Sequence, residues 1–283
     1  REAAIAAFQP EAFYQVQLCF DGFSVSGERM KNREEAENLA ASCRREGSAR
    51  TGKIVQTEKT EKPPALYDLT TLQREANRVL GYTAQQTLDY VQALYEKKLV
   101  TYPRTDSRFL TEDMAEMLPE LAAVTASACF PEADTVSANA GQVINSKKVT
   151  DHHAIIPTKE VQNCSISELP KGELEILKLI AKRLLTAVSA PCRYAETVEI
   201  SCGGIDFKAK GKTVLSAGWK GMEEKCGPKK KKEKENDIPP LQENATLPLL
   251  SAEVKDGKTA PPKHFTEDTL LQNMETAGAD EMP

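Results

Sequence analysis

A chain of 283 residues, 40% hydrophobic and 28% charged, is long enough for about two domains with buried cores, which excludes a small disulfide-stapled scaffold. No apolar run approaches the roughly 20 residues that span a bilayer. The formal charge of −5, from 37 Lys+Arg against 42 Asp+Glu, argues on average against a protein that holds nucleic acid. The seven cysteines are odd in number, scattered and never spaced C-x-x-C. They read as reduced thiols of a cytoplasmic protein, with neither a disulfide framework nor a zinc ribbon. The opening REAAIAAFQPEAF lacks the long apolar stretch of a signal peptide, and a chain that starts at Arg1 and stops at GADEMP reads as a piece of a longer polypeptide.

In chain order, Val16, Leu18 and Phe20 alternate with Gln15, Gln17 and Cys19, the period of a strand with one buried face, and FSVSGE is expected to return as a hairpin. REEAENLAASCRREG sets Ala36, Leu39, Ala40 and Cys43 on one helical face and offers Gly47 as its left-handed stop. GKIVQTEKTE reads as a strand, and Lys62-Pro63-Pro64 as a boundary, since two prolines forbid helix continuation and a central strand. From Tyr67 to about Ala190 the period turns helical. Thr70 with Gln73, and Thr83 with Gln86, match the capping-box spacing. They bracket two consecutive helices, one carrying Leu72, Ala76, Val79 and Leu80 inward and the other Ala84, Leu88, Val91, Leu94 and Tyr95. Gly81-Tyr82 separates them, which is helix-turn-helix spacing. A third helix is expected from Thr111 and a fourth from Glu173 to Val188. After Pro191, ETVEISC, a Gly203-Gly204 turn, IDFKAKG and KTVLSAGW read as strands. CGPKKKKEKENDIPP reads as a solvated surface loop, and ATLPLLSAEV as a last strand. A β-rich unit in two pieces, with a helical unit inserted between them, accounts for the pattern.

Local charge departs from the global balance in EKKLVTYPRTDSRFL. From Lys97 to Leu110, Lys97, Lys98, Arg104 and Arg108 face one acid, Asp106. This strip, next to helix-turn-helix spacing, matches a phosphate-binding footprint. Pro103 restricts Tyr102 to extended geometry, so a turn presents the phenol. A phenol with a pKa of about 10 needs a proton acceptor or a nearby cation to attack a phosphodiester. Arg104 can supply that cation and donate two N–H bonds to the phosphate oxygens as charge builds on them. The product would be a phosphotyrosine ester, which reseals without an external energy source because one phosphoester replaces another. Taken alone, a tyrosine after Leu99-Val100 is more often a packing residue, and the same holds for Tyr67, Tyr90 and Tyr95. The density of phosphate-competent groups behind Tyr102, namely Arg104, Thr105, Ser107 and Arg108, shifts the balance. VTDHHAIIPT holds two of the three histidines. With no carboxylate or cysteine at helical spacing from them, a metal pair is disfavoured. A histidine donating to phosphate, or protonating a leaving deoxyribose oxygen, suits the basic site better.

TLQREANRVLGYTAQQTLDYVQALYEKKLVTYPRTDSRFL, DHHAIIPT and APPKHFTEDTLLQNMETAGA, in that order, resemble the type IA DNA topoisomerases, and among them the bacterial topoisomerase III branch. The resemblance implies that Tyr102 attacks one DNA strand and becomes linked to its 5′ phosphate. By the same resemblance Arg104 contacts the scissile phosphate and His152 binds phosphate or assists proton transfer. Lys97, Thr105, Ser107, Arg108, His153 and Gln73 complete the expected DNA-binding set. The fold class expected is α+β. A β-rich gate domain is split into 1–66 and 191–258, around a helical domain, 67–190, with a helix-turn-helix, winged-helix-like unit, and 259–283 opens a further helical domain.

In that family the acidic magnesium-binding clusters lie in an N-terminal toprim domain, and no D-x-D cluster occurs here. Mg²⁺ is therefore expected in the full-length enzyme with its ligands outside this chain, and no metal in the chain itself, which should not relax DNA alone. The implied partners are single-stranded DNA and the remaining toprim and C-terminal domains of the same polypeptide, with no membrane, in a bacterial cytoplasm near nucleoid or plasmid. The other reading is a non-catalytic helix-turn-helix DNA-binding regulator or adaptor in which Tyr102 merely packs.

Overall fold

The computed structural model of the chain describes residues 1–52, 57–133, 139–202, 205–227, 241–242 and 244–277. The Gly203-Gly204 turn, most of the lysine-rich loop and the first half of GKIVQTEKTE therefore lie outside the described residues. The chain divides into two compact units.

The first unit comprises Arg1–Thr60, Arg193–Ser216 and Lys231–His264. It holds α1 (Glu2–Ala6), β1 (Ala12–Phe20), β2 (Phe23–Ser26), α2 (Arg33–Glu46), β3 (Ser48–Thr51), β4 (Thr57–Glu61), β5 (Cys192–Cys202), β6 (Ile205–Ser216), β7 (Thr246–Pro248) and β8 (Ser251–Lys258), to within a residue at its borders. β1 buries Val16, Leu18 and Phe20, the face its alternation specifies. It pairs antiparallel with β2, Leu18 opposite Val25, and with β8, Val16 opposite Val254. The order is β2-β1-β8, while β3, β4, β5, β6 and β7 form a second sheet. ATLPLLSAEV is thus two strands in different sheets rather than one. Pro248 cannot donate to a ladder, and the chain changes partner just after it. α2 lies against β1 and β8. Its N-cap Asn32 accepts from Glu34 N at 2.9 Å, and Gly47 ends it at φ 63. Ala36, Ala40 and Cys43 of α2 join Leu18, Phe20, Phe23 and Phe207 in one core, and each large apolar side chain so buried contributes about 1.5–3 kcal/mol.

The second unit comprises Glu61–Cys192, Ala217–Lys230 and Phe265–Pro283. Its helices are α3 (Leu69–Leu80), α4 (Ala84–Glu96), α5 (Leu118–Cys129), α6 (Lys171–Ala187), α7 (Gly218–Lys225) and α8 (Glu267–Thr276), joined by short 3₁₀ turns. Between them runs a small backbone ladder. Tyr67 bridges Ile155 and Val100 bridges Pro157, with Ile155 N donating to Tyr67 O at 2.8 Å, Thr101 N to Ile156 O at 3.0 Å and Thr158 N to Leu99 O at 2.9 Å. Neighbours on an extended segment face opposite ways. Tyr67, Val100 and Ile155 therefore sink into a core with Leu72, Val91 and Ile180, while Leu66 and Ile156 enter another with Leu118, Leu121 and Leu184.

Several expectations are corrected here. The capping box of α3 is Asp68 with Thr71, not Thr70 with Gln73: Asp68 Oδ1 accepts from Thr71 N at 2.7 Å. The Thr83–Gln86 box of α4 forms as expected, with bonds of 3.1 and 3.0 Å. Val79 and Tyr95 are 58% and 39% exposed rather than inward. Thr87 is buried in their stead, its hydroxyl donating to Thr83 O at 2.9 Å and so needing no other partner. Thr111 precedes only a 3₁₀ turn, Glu112–Met114, and the α-helix waits until Leu118, with a proline in its first turn. IDFKAKG and KTVLS form one strand, β6, rather than two, and the last two residues of KTVLSAGW begin the helix GWKGMEEK instead. It opens on Gly218 at φ 50, where any side chain would strike the Pro191 carbonyl. α8 packs on α3: Arg74 pairs with Asp268 and Glu275, each at 2.9 Å, and the Glu267 carboxylate accepts from Ala84 N at the start of α4.

All seven cysteines are free thiols. Burial pushes Cys129 up to about 12 and Cys226 up to about 11, so at pH 8 both stay protonated and inert. With Ellman's reagent at that pH, half-buried Cys19 and Cys164 should react before any other, and labelling of Cys129 in the native protein would contradict the packing. Asp68→Ala should cost about 1 kcal/mol in urea unfolding, whereas Thr70→Ala should stay within about 0.5 kcal/mol. Equal losses would restore the Thr70 cap.

Candidate active site

The ladder brings the two sequence motifs together. α4 ends in a Schellman arrangement, with Lys98 N donating to Tyr95 O at 2.8 Å and Leu99 N to Leu94 O at 2.9 Å. Lys98 takes the left-handed position at φ 61, where glycine is usual, at a cost of about 1–2 kcal/mol. The reversal sends Leu99 and Val100 into the core, and Tyr102 emerges just past the ladder. Opposite it the chain runs from His152 to Thr158, so His152 emerges at the same end. The rings of Tyr102 and His152 lie 4.4 Å apart, tilted by 45°. Tyr95 meets Tyr102 edge-on, at 5.4 Å and 78°. Tyr102 is half-buried, Arg104 and His152 are exposed, and among the described residues Arg104 Nη1 has only a long 3.4 Å contact to Gln92 Oε1.

Tyr102 and His152 are therefore brought together, with Arg104 exposed two residues beyond Tyr102, while the other expected residues are not all placed to meet a ligand. Thr105 and Ser107 are buried. Thr105 Oγ1 donates to His152 O at 2.8 Å and Ser107 Oγ to Lys148 O at 2.9 Å. These hydroxyls clamp the histidine segment to the tyrosine segment. The Lys97 ammonium binds Glu173 at the start of α6, and Gln73 Nε2 donates to Ala84 O at 3.0 Å, bracing the turn between α3 and α4. Arg108 is exposed, its Nε 3.4 Å from Leu66 O. His153 is half-buried with Nδ1 2.9 Å from Ala154 O, and it helps line a cleft of ≈ 530 Å³ beside Tyr102.

Sequence reasoning missed the support beneath. Arg183 of α6 donates to Tyr67 OH at 3.1 Å and to the Ala65 carbonyl at 3.3 Å, pairs with Glu75, and stacks over the Tyr67 ring at 4.3 Å. Burial lifts the Tyr67 phenol well above its ordinary value against the pull of Arg183. Burial also works against the Arg183 charge, but Tyr67 and Glu75 outweigh it and raise its pKa. This triad pins the strand that carries one edge of the ladder. Arg183 lies 116 and 108 positions from Tyr67 and Glu75, so no local spacing could have shown it. Among the described residues no three His, Cys, Asp or Glu side chains converge to hold a metal ion. They do not fit a magnesium centre. Likewise, no helix of the described residues is long and apolar enough to cross a membrane.

The clamp is testable apart from any reaction. Thr105→Val keeps the volume and removes two hydrogen bonds, the one donated to His152 O and the one accepted from Ser107 N, each worth about 1 kcal/mol. The imidazole proton resonances of His152 should move towards free-histidine positions as the ring leaves the face of Tyr102. Unchanged shifts would mean that Thr105 does not hold His152.

Comparison with known proteins places the chain in a family. A family model described as DNA topoisomerase matches residues 1–279. DNA topoisomerase 3 of Bacillus subtilis (strain 168) is 37% identical over 297 residues, covering 99% of this chain and 40% of that protein. Its Bacillus licheniformis counterpart is 38% identical over 296 residues, with the same coverage. The full-length topoisomerase I of Thermotoga maritima shares the fold, with a TM-score of 0.77 at 23% identity, over 98% of this chain and 46% of that one. The chain spans about two fifths of the length of the curated relatives it matches. The α+β fold class and the reading as a topoisomerase are thereby supported, and the separate regulator is not favoured. The chain belongs to the type IA DNA topoisomerase family.

Proposed function

We propose that this chain supplies the nucleophile of a topoisomerase that changes DNA topology by transient cleavage of one strand. The observation that carries the reading is the 4.4 Å contact of the Tyr102 and His152 rings, two motifs 50 residues apart held at one surface beside the exposed Arg104. Tyr102 Oη attacks the scissile phosphorus, the P–O3′ bond breaks, and a 5′-phosphotyrosine ester forms. His152 handles a proton of this exchange, at the phenol or at the departing 3′ oxygen. Arg104 donates to the non-bridging oxygens as their charge grows. Resealing reverses each step and needs no nucleotide, because one phosphoester is exchanged for another.

The β-rich segments 1–66 and 191–258 serve as the gate in this proposal, 67–190 as the tyrosine-bearing domain, and 259–283 as the start of the next helical domain. We assign the expected magnesium, and the toprim domain that would hold it, to the part of the polypeptide beyond this chain. Single-stranded DNA is the substrate, in a bacterial cytoplasm, in association with nucleoid or plasmid DNA. The buried hydroxyls of Thr105 and Ser107, with Lys97 and Gln73, act as supports. Arg108 and His153 remain candidates for direct contact.

In the full-length enzyme, Tyr102→Phe should abolish covalent capture of a single-stranded oligonucleotide, and 5′-linked adducts that persist would refute the nucleophile. Arg104→Ala should slow cleavage by about 10²–10³-fold and leave the tyrosine able to form the adduct. The 283-residue chain with Mg²⁺ should not relax supercoiled plasmid, and robust relaxation would overturn the division of labour.

A further inference from the structure

Cys43 and Cys202 lie far apart in the chain and side by side in the first unit. Cys43 comes from its first piece, Arg1–Thr60, and Cys202 from its second, Arg193–Ser216. The Cys43 carbonyl accepts from Gly47 N at 3.1 Å where α2 ends, and the chain passes straight into β3. β3 pairs antiparallel with β5, Arg50 opposite Ser201, which brings Cys202, the last residue of β5, back to the end of α2. The Cys202 thiol donates to the Ser48 carbonyl at 3.4 Å and lies within hydrogen-bonding reach of the Cys43 sulfur. Both side chains belong to one apolar core, at 0% and 1% exposure. Elsewhere on α2 the same core is filled by Ala36 and Ala40, so packing alone asks for no thiol, still less for two in contact. Cys226, another buried thiol, instead meets the Met222 thioether at 3.8 Å, a partner that has no thiol to oxidise. Burial, the largest influence, holds the Cys43 thiol above its ordinary value. Because the thiolate is the reactive form, the pair stays reduced through a brief exposure to oxidant and closes under a sustained one.

We propose that Cys43 and Cys202 form an oxidant-responsive latch, a reversible disulfide that joins two sequence-distant pieces of the first unit. With hydrogen peroxide as oxidant, one thiolate attacks a peroxide oxygen, the O–O bond breaks, and a sulfenic acid and water form. The second thiol attacks that sulfur, the S–S bond forms, the S–O bond breaks, and the thiol proton leaves with the hydroxyl as a second water. Two thiols are oxidised and one peroxide is reduced. A dithiol reverses the step by thiol–disulfide exchange. The bond closes a loop of about 160 residues, a length at which a cross-link strongly restricts the unfolded chain. That loop contains the whole of Glu61–Cys192 from the second unit. In the reduced chain the β3–β5 ladder and the shared core hold the two pieces together, and the latch adds a covalent tie to them. It stands apart from the reading of Tyr102 as the nucleophile, and it guards the fold of the unit proposed as the gate while oxidant is present.

The test uses the 283-residue chain with its two half-buried thiols removed as Cys19→Ala and Cys164→Ala. The native chain is treated with hydrogen peroxide, remaining thiols are blocked with N-ethylmaleimide in denaturant, and an unreduced digest is read by mass spectrometry. The expected product is a linked pair of peptides carrying Cys43 and Cys202, which dithiothreitol separates. The oxidised chain should melt about 5–15 °C above the reduced one. A further Cys202→Ala substitution should abolish both the link and the oxidant-dependent rise. The linked peptides are read in the chain that keeps both thiols, so the result does not depend on how well Cys202→Ala folds. The proposal is overturned if the native chain gives no link, a different pair, or sulfinic acid at Cys43 or Cys202. It is equally overturned if the link forms only in urea, if the linked chain melts no higher, or if the rise survives Cys202→Ala.

Discussion

The short ladder between Leu99–Thr101 and Ile155–Thr158 is the constraint on which the candidate site depends. Only a few hydrogen bonds hold it, which for so small a ladder in water would be marginal. It persists because its alternating side chains are anchored in two separate cores: Tyr67, Val100 and Ile155 in one, Leu66 and Ile156 in the other. A register slip by one residue would exchange the two sets and place each in the wrong core. The geometry of Tyr102 and His152 is thus set by apolar packing some distance below them, and the polar clamp of Thr105 on the His152 carbonyl refines a position that the cores already impose.

Rigidity is distributed unevenly around this point. Beneath the ladder, Arg183, Tyr67 and Glu75 form a buried, mutually satisfied set, the arrangement in which a charged group inside a protein is least costly. At the surface, among the described residues, Arg104 has one long contact from its charged group and Lys98 has no acidic partner. For the proposed function, in which the site grips, releases and re-grips a strand, that contrast is an advantage, because cations already committed to carboxylates would have to break those pairs first. Lys97, bound to Glu173, shows what such a committed cation looks like one residue away.

Much of the frame was legible in the sequence because its signals are local. The β1 alternation, the α2 cap and Gly47 stop, and the Thr83–Gln86 box each depend on residues within one element. The two motifs of the site were legible as well, from the crowding of Arg104, Thr105, Ser107 and Arg108 behind Tyr102 and from the histidine pair. The roles of individual polar residues were not. A threonine facing a phosphate and one facing a buried carbonyl have the same sequence signature, and only burial separates them, as Thr105 and Ser107 show. Asp68 and Thr70 are both competent caps, and the choice fell to the one whose backbone stays extended before the helix. Tyr95 fits the apolar period of α4, yet the helix turns its ring outward next to Tyr102.

One contact described for α8 has a bearing on how the helix pair can meet DNA. In duplex-reading helix-turn-helix proteins the start of the second helix approaches the major groove, and its free N–H groups and positive dipole end favour phosphate. Here the amide of Ala84, at the start of α4, is already occupied by the Glu267 carboxylate. The protein supplies its own anion where a phosphate would dock, and with it a charge that repels the backbone of a duplex. The start of α4 is thereby closed to that use, and the proposed site lies at the opposite terminus of the helix, where the chain turns through Lys98 towards Tyr102.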